Sequence, residues 1–243
     1  MKKIISFLLS LTLLLSTTIA FAATGANKVS DQGVNKSKLK IKDIYVTVPY
    51  DISEVKIERM QKDGYERVEI RDKKTGELIE AFGEKVVPLI NSSNSKDSKS
   101  QFLSQYTVNL IQSTSGDYSI HYVYKERKDG PAVTRLYTIL TVYSYGSFRQ
   151  IESVNDTYWT AESGGTWELV NPHATTISTS GSFPTIEIET FGTATIEVRT
   201  TLSAGGEYSI SYLQSIGFSI SYQIGSTYYL RKSISIGYTY SVY

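Results

Sequence analysis

From Lys42 onward the chain alternates apolar and polar residues with a period of two. Ile44, Val46 and Val48 fall on one side, Tyr45 and Thr47 on the other. That is strand periodicity, because successive side chains of an extended chain point to opposite faces. Alternation resumes from Glu54 to Met60 through Val55, Ile57 and Arg59. Ile52, Val55, Arg59 and Met60 also sit at helical spacing, so a helix competes over 53–63; the alternation predicts a strand. Tyr65–Arg71 and Glu77–Phe82 then flank Asp72-Lys73-Lys74-Thr75-Gly76. A Gly-bearing connection between two alternating runs predicts a hairpin.

Residues 91–101 are rich in Ser, Asn and Lys and predict a polar loop. Tyr106–Ile111, Gly116–Tyr124 and Ala132–Tyr145 read as strands, the last two joined by a turn at Lys128-Asp129-Gly130-Pro131. Thr185–Thr190 and Ala194–Thr200 read as two arms of a hairpin about Phe191-Gly192-Thr193. From Gly205 to Tyr243 the only charges are Glu207, Arg231 and Lys232. Apolar residues hold the even positions there almost throughout, from Tyr208 and Ile210 to Tyr240 and Val242. Breaks near Leu213-Gln214, Gly225-Ser226 and Arg231-Lys232 predict four strands in up-and-down order.

Gly116-Asp117-Tyr118 at a strand start, followed by alternation, a turn and another strand, resembles the penultimate and last strands of an immunoglobulin-like sandwich. The resemblance covers about 30 residues and lacks the disulfide cysteines. It implies a sandwich-like first unit in which Tyr118 ties back a loop.

The amino terminus departs from this pattern. Lys2 and Lys3 precede an apolar run from Ile4 to Leu15, and Ala20-Phe21-Ala22 supplies a small-x-small site. That order predicts a secretory signal peptide over 1–22, cleaved after Ala22. The apolar run falls short of the ~20 residues that span a bilayer. Residues 23–40 are small, polar and basic and predict a disordered tail. The chain has no Cys, so a lipid anchor on cysteine is excluded and stability rests on packing and backbone pairing.

Charge divides the remainder. Residues 23–145 carry 19 basic and 16 acidic side chains; residues 146–243 carry 4 and 8. The asymmetry predicts two β units, a sandwich-like one over 41–145 and a Tyr/Ser-rich antiparallel sandwich over 146–243. The near-neutral total argues against a nucleic-acid partner, whose binding depends on neutralising phosphates.

Catalytic chemistry has few candidates. Only His121 and His173 can act as imidazole bases for a Ser or Thr nucleophile. His121 lies in an alternating strand and reads as structural; His173 follows Asn171-Pro172 and reads as an exposed turn residue. Two separated His and no Cys predict no metal site, and no cofactor motif occurs.

The richest binding constellation is Asp156, Tyr158, Trp159, Glu162, Trp167 and Glu168, with Glu152, Asn155 and Gly164-Gly165 nearby. Aromatic walls beside a few polar anchors suit a glycan. Glu162 and Glu168 also read as an acid–base pair of a glycan hydrolase, and both Trp residues read equally as core plugs. The sequence therefore predicts a secreted, extracellular, non-catalytic interaction protein that binds a glycan or other cell-surface component. A membrane-active protein inserting 205–243 is the alternative, because that run resembles the amphipathic hairpins of β-pore-forming toxins in its alternation. Glycan hydrolysis comes third. Long uncharged strands also predict self-association.

Overall fold

The computed structural model describes residues 36–89 and 116–243. The all-β, antiparallel expectation holds: two six-stranded antiparallel sheets dominate the chain. After β1 (Ser37–Lys40) and β2 (Tyr45–Val48), which belong to the other sheet, the first sheet is a meander of consecutive strands: β3 (Val55–Lys62), β4 (Tyr65–Asp72), β5 (Leu78–Pro88), β6 (Asp117–Asp129), β7 (Ala132–Tyr145) and β8 (Phe148–Ala161) follow in spatial order. The second sheet joins the two ends of the described chain. Its order is β1 (Ser37–Lys40), β2 (Tyr45–Val48), β12 (Thr227–Ser241), β10 (Glu187–Thr201) and β9 (Trp167–Ser178), with β11 (Ser219–Ile224) beside β12.

The local predictions succeed where alternation is bounded by turn residues. β4 and β5 form the expected hairpin, with the Asp72 carboxylate accepting from the Lys74 and Thr75 backbone N–H groups at 2.7 Å each. The strand over 54–60 is β3, preceded by a single 3-10 turn at Ile52–Glu54 capped by Asp51. β6 and β7 pair along their whole length. Tyr118, at the start of β6, packs its ring against Tyr143 of β7, with centroids 5.1 Å apart.

Three expectations need correction. The tail predicted over 23–40 ends in a strand: residues 37–40 form β1, paired with β2, and Leu39 is buried. One apolar side chain on a short polar strand is too little signal to announce this. The hairpin predicted about Phe191-Gly192-Thr193 is one continuous strand, β10. Gly192 serves close approach instead of a turn; a Cβ there would sit 2.7 Å from Trp159 Nε1 and 2.9 Å from Leu136 Cδ1. The four strands predicted after Gly205 are two. A 3-10 turn at Gly206–Tyr208 and a short helix, α1 (Ile210–Ser215), replace the first, the second is β11, and the last two are one continuous strand, β12, that runs through Arg231-Lys232. Ser209 caps α1 by accepting from Tyr212 N, and fully buried Leu213 anchors it, so helical capping and one odd-numbered apolar residue override the even alternation. The signal peptide, the polar loop at 91–101 and the strand at 106–111 lie outside the described residues.

The described residues gather into one compact unit. The divide read from charge, at 145/146, falls in the tight turn between β7 and β8 of the same sheet. One core lies between the sheets, with Val68, Phe82, Leu136 and Leu140 from the meander facing Val46, Ile188, Ile236 and Tyr240. A second core lies under α1, where Leu213 and Phe218 meet Trp167, Ile196, Val198 and Leu230. Between these cores the sandwich interior holds hydroxyls. Thr138 Oγ1 lies 2.9 Å from both Thr190 Oγ1 and Tyr238 Oη, and Thr176 links to Thr157 and Thr190 at 2.8 Å. Each of these hydroxyls thus has a partner, which offsets its loss of water.

Candidate functional site

The constellation read from sequence separates in the fold. Trp167 is 7 % exposed and packs in the second core; its indole N–H has no hydrogen-bond partner among the described residues. Trp159 wedges between both cores and donates its Nε1–H to the His173 carbonyl at 3.0 Å. Both indoles therefore take the plug role, and neither is an open platform. Glu168 is exposed on β9, in register with Glu197 of β10. Asp156 is exposed on β8 and caps the Thr157 backbone N–H. His173 is exposed as expected, but in β9: residues 171–172 form a β-bulge, with Asn171 at φ 50°.

Tyr158 and Glu162 do come together with other groups. The register of the meander aligns Arg67, Gly83, Tyr124, Tyr137 and Tyr158 in one row across β4 to β8. Residues directly opposite in adjacent strands share a face, so this row runs straight across the first sheet. It lies on the face away from the second sheet, since the neighbouring row of Val68, Phe82 and Leu136 supplies the core. Tyr65, two residues before Arg67, adds a fourth ring.

The rings touch in sequence. Centroids are 5.3 Å apart for Tyr65–Tyr124, 5.2 Å for Tyr124–Tyr137 and 5.4 Å for Tyr137–Tyr158, the last pair stacked at 12°. Gly83 makes the row possible, because a Cβ there would stand 2.3 Å from the Tyr124 ring. Tyr65 and Tyr158, at the two ends, keep partial exposure; Tyr124 and Tyr137 are buried between them.

Charge runs alongside. Arg67 forks onto Glu126 with bonds of 2.9 and 2.6 Å and reaches Glu69 at 2.9 Å. Arg135 donates to Glu126 at 2.8 Å and to the Tyr137 hydroxyl at 3.1 Å, and pairs with Glu162 at 2.8 Å. Its guanidinium also lies over the Tyr124 ring, 4.3 Å from the centroid. Burial pushes the Glu126 pKa up, but the two guanidinium groups outweigh it and hold the carboxyl below its ordinary value. Burial moves the Tyr65 phenol up. It raises those of Tyr124 and Tyr137 as well, so these three hydroxyls stay protonated, as neutral donors and acceptors, through the physiological range.

A second polar cluster, which the sequence reading passed over, sits at one end of the sandwich interior. His121 Nδ1 lies 2.8 Å from Glu84 Oε1, and His121 Nε2 lies 2.9 Å from Ser119 Oγ. Glu84 Oε2 accepts the backbone N–H groups of Lys42, Asp43 and Ile44 at 2.9, 2.8 and 3.2 Å. Glu84 is fully buried and its pKa is lowered: burial opposes ionisation, and the His121 bond and backbone donors overcome it. Ser119 and His121, two apart in β6, could have been paired from alternation alone; Glu84, on β5, could not.

Among the described residues no three His, Cys, Asp or Glu side chains converge as a metal site, and no helix is long and apolar enough to cross a membrane. The chain matches no family model, no curated protein and no solved structure.

Proposed function

We propose that the protein is a secreted interaction protein that binds a glycan or glycan-bearing surface component through the outer face of its first sheet. The tyrosine row from Tyr65 to Tyr158 carries this reading. A sugar ring offers an apolar C–H face and a rim of hydroxyls. Aromatic rings flanked by guanidinium and carboxylate groups match both, since binding sites pair apolar walls with a few fixed polar anchors. The Arg67–Glu126–Arg135 network locks the central rings before any ligand arrives, which lowers the ordering cost of binding. The test is binding of the purified protein to an oligosaccharide array, followed by titration calorimetry with the best ligand. Tyr158→Ala combined with Tyr65→Ala weakens binding at least tenfold with the fold intact; unchanged affinity removes the row from the site.

A second reading, membrane contact through 205–243, draws support from β11. Every residue of that strand is exposed, including Ile220 and Ile224 at 46 % and 63 %. The alternating apolar row of β12, in contrast, is already used in the cores. Contact would therefore run through β11 without opening the sandwich. Release of dye from liposomes that disappears in Ile220→Asp/Ile224→Asp is the expected sign.

A further inference from the structure

The Ser119–His121–Glu84 cluster has the connectivity of a nucleophile, a base and an orienting carboxylate. We propose that it is a hydrolytic site for short-chain acyl esters, with Ser119 as nucleophile. This adds a reaction to a chain whose sequence reads as non-catalytic, and it stands independently of the tyrosine row.

The geometry supplies each role. Ser119 Oγ and His121 Nε2 are within hydrogen-bond reach at 2.9 Å, and the other ring nitrogen is held by Glu84 at 2.8 Å. That is the arrangement in which an imidazole can take a hydroxyl proton while a buried carboxylate fixes its orientation. Glu84 cannot swing away, because three backbone N–H groups hold its second oxygen. A purely structural His–Glu pair needs no hydroxyl on the free imidazole nitrogen and no adjoining space.

Both are present here. Ser119 borders two cavities. One, of about 60 Å³, is walled by Ile44, Val86, Val142 and Val242 and also reached by His121 and Arg149. Asp43 and Ser144 complete its lining, so four apolar side chains meet a polar rim, with room for a short acyl group but not a long chain. The other, of about 470 Å³, is lined by Pro88, Leu89, Tyr118 and Ser144 as well as Ser119, and it has room for the alcohol portion. Arg149 donates from Nη1 to the Asp43 carbonyl at 2.8 Å. The same nitrogen lies 3.8 Å from the Asp43 carboxylate, a loose and partly exposed pair, while Nη2 makes no hydrogen bond among the described residues and leaves a donor at the acyl cavity for charge that develops on a carbonyl oxygen.

The step balances without a cofactor. Ser119 Oγ attacks the ester carbonyl carbon while its proton passes to His121 Nε2. The tetrahedral oxyanion collapses, the C–O bond to the alcohol breaks, and His121 returns the proton to the departing alkoxide. Water then attacks the acyl-Ser119 ester with His121 again accepting a proton. The carboxylic acid leaves and Ser119 regains its hydrogen.

The test uses the full chain after export. A fluorophosphonate probe is expected to add once, on Ser119 by peptide mass, and p-nitrophenyl acetate is expected to be hydrolysed far faster than p-nitrophenyl octanoate. Ser119→Ala, which removes one half-buried hydroxyl, abolishes both signals. His121→Gln lowers the acetate rate by roughly 10²–10⁴-fold, the usual contribution of a general base. Ser119→Cys keeps the nucleophile position and restores labelling by a thiol-directed probe. Labelling of the wild type no greater than that of folded Ser119→Ala, or an acetate rate unchanged in that variant, overturns the proposal. So does an adduct on Ser144.

Discussion

The two sheets have six strands each but solve the problem of polar groups in opposite ways. The first sheet carries full charges on its outer face and buries them: Arg67, Glu69, Glu126 and Arg135 are all less than 10 % exposed. The outer face of the second is mostly neutral, with Thr175, Thr193, Ser233 and Ser235 open to solvent. Its one comparable ion pair, Glu197–Arg231 at 2.6 Å, leaves the Arg231 side chain 44 % exposed. A buried charge is tolerable only when its partners satisfy it completely. The meander achieves this because a forked guanidinium sits on each side of one carboxylate. The lesson is that the first sheet's outer face is a rigid, over-determined surface, whereas the second sheet's face is adaptable.

Acid breaks the comparison most broadly. Glu84, Glu126 and Asp129, all on the meander, have pKa values below the ordinary carboxylate range; in each case charge-assisted bonds overcome burial. A folded-state pKa below the unfolded one gives stability that is present above the unfolded value and lost as pH falls through the folded one. The protein is therefore expected to lose stability steeply below about pH 4.5, the ordinary value of a Glu, as followed by circular dichroism. The loss begins in the first sheet, where hydrogen exchange of β6 and β7 accelerates before that of β10.

Single substitutions sharpen the contrast. Glu126→Ala leaves Arg67 and Arg135 buried without their shared partner and is expected to cost roughly 3–5 kcal/mol in urea unfolding. Glu197→Ala removes a buried carboxylate but frees an arginine that already reaches water, and is expected to cost clearly less than Glu126→Ala. Equal losses would show that the two sheets handle charge alike. Gly83→Ala drives a Cβ into the Tyr124 ring and is expected to cost about 1–3 kcal/mol while weakening glycan binding. At Gly237 the nearest contact to an added Cβ is 3.3 Å from the movable Phe191 ring, and Gly237→Ala is expected to be close to neutral. A modest effect belongs to the interior hydroxyls. Tyr238→Phe removes the donor to the Leu136 carbonyl at 3.1 Å and is expected to cost about 1 kcal/mol.

How much of this was legible in the sequence follows from the range of each determinant. The β4–β5 hairpin was readable because alternation and the turn residues lie within twenty positions. β10 was misread at Gly192 because the reason for that glycine, the Trp159 indole, lies thirty residues earlier and in the other sheet. The two Trp residues drew attention as a possible platform, yet composition cannot tell a plug from a platform. Tyr158 and Glu162 belonged to the predicted constellation, but their partners Tyr137 and Arg135 come from β7. The tyrosine row needs the register of five strands at once, and no local pattern encodes that. Glu84 was invisible for the same reason: its meaning comes from His121 across one strand boundary and from the 42–44 backbone.

The antiparallel pairing of Tyr45–Thr47 with Thr239–Ser241 imposes an order in time. The meander needs only neighbours and can assemble strand by strand as the chain lengthens. β1 and β2 cannot: β1 rests on β2, and β2 rests on β12, which follows every strand of the meander in the chain. Until it arrives, Leu39, Ile44, Val46 and Val48, all buried in the finished fold, can face the meander but have no neighbouring strand to hold them there. Closing so long a loop is slow, and a waiting apolar edge invites the wrong partner. Final folding is thus a single late event governed by the fifteen residues of β12.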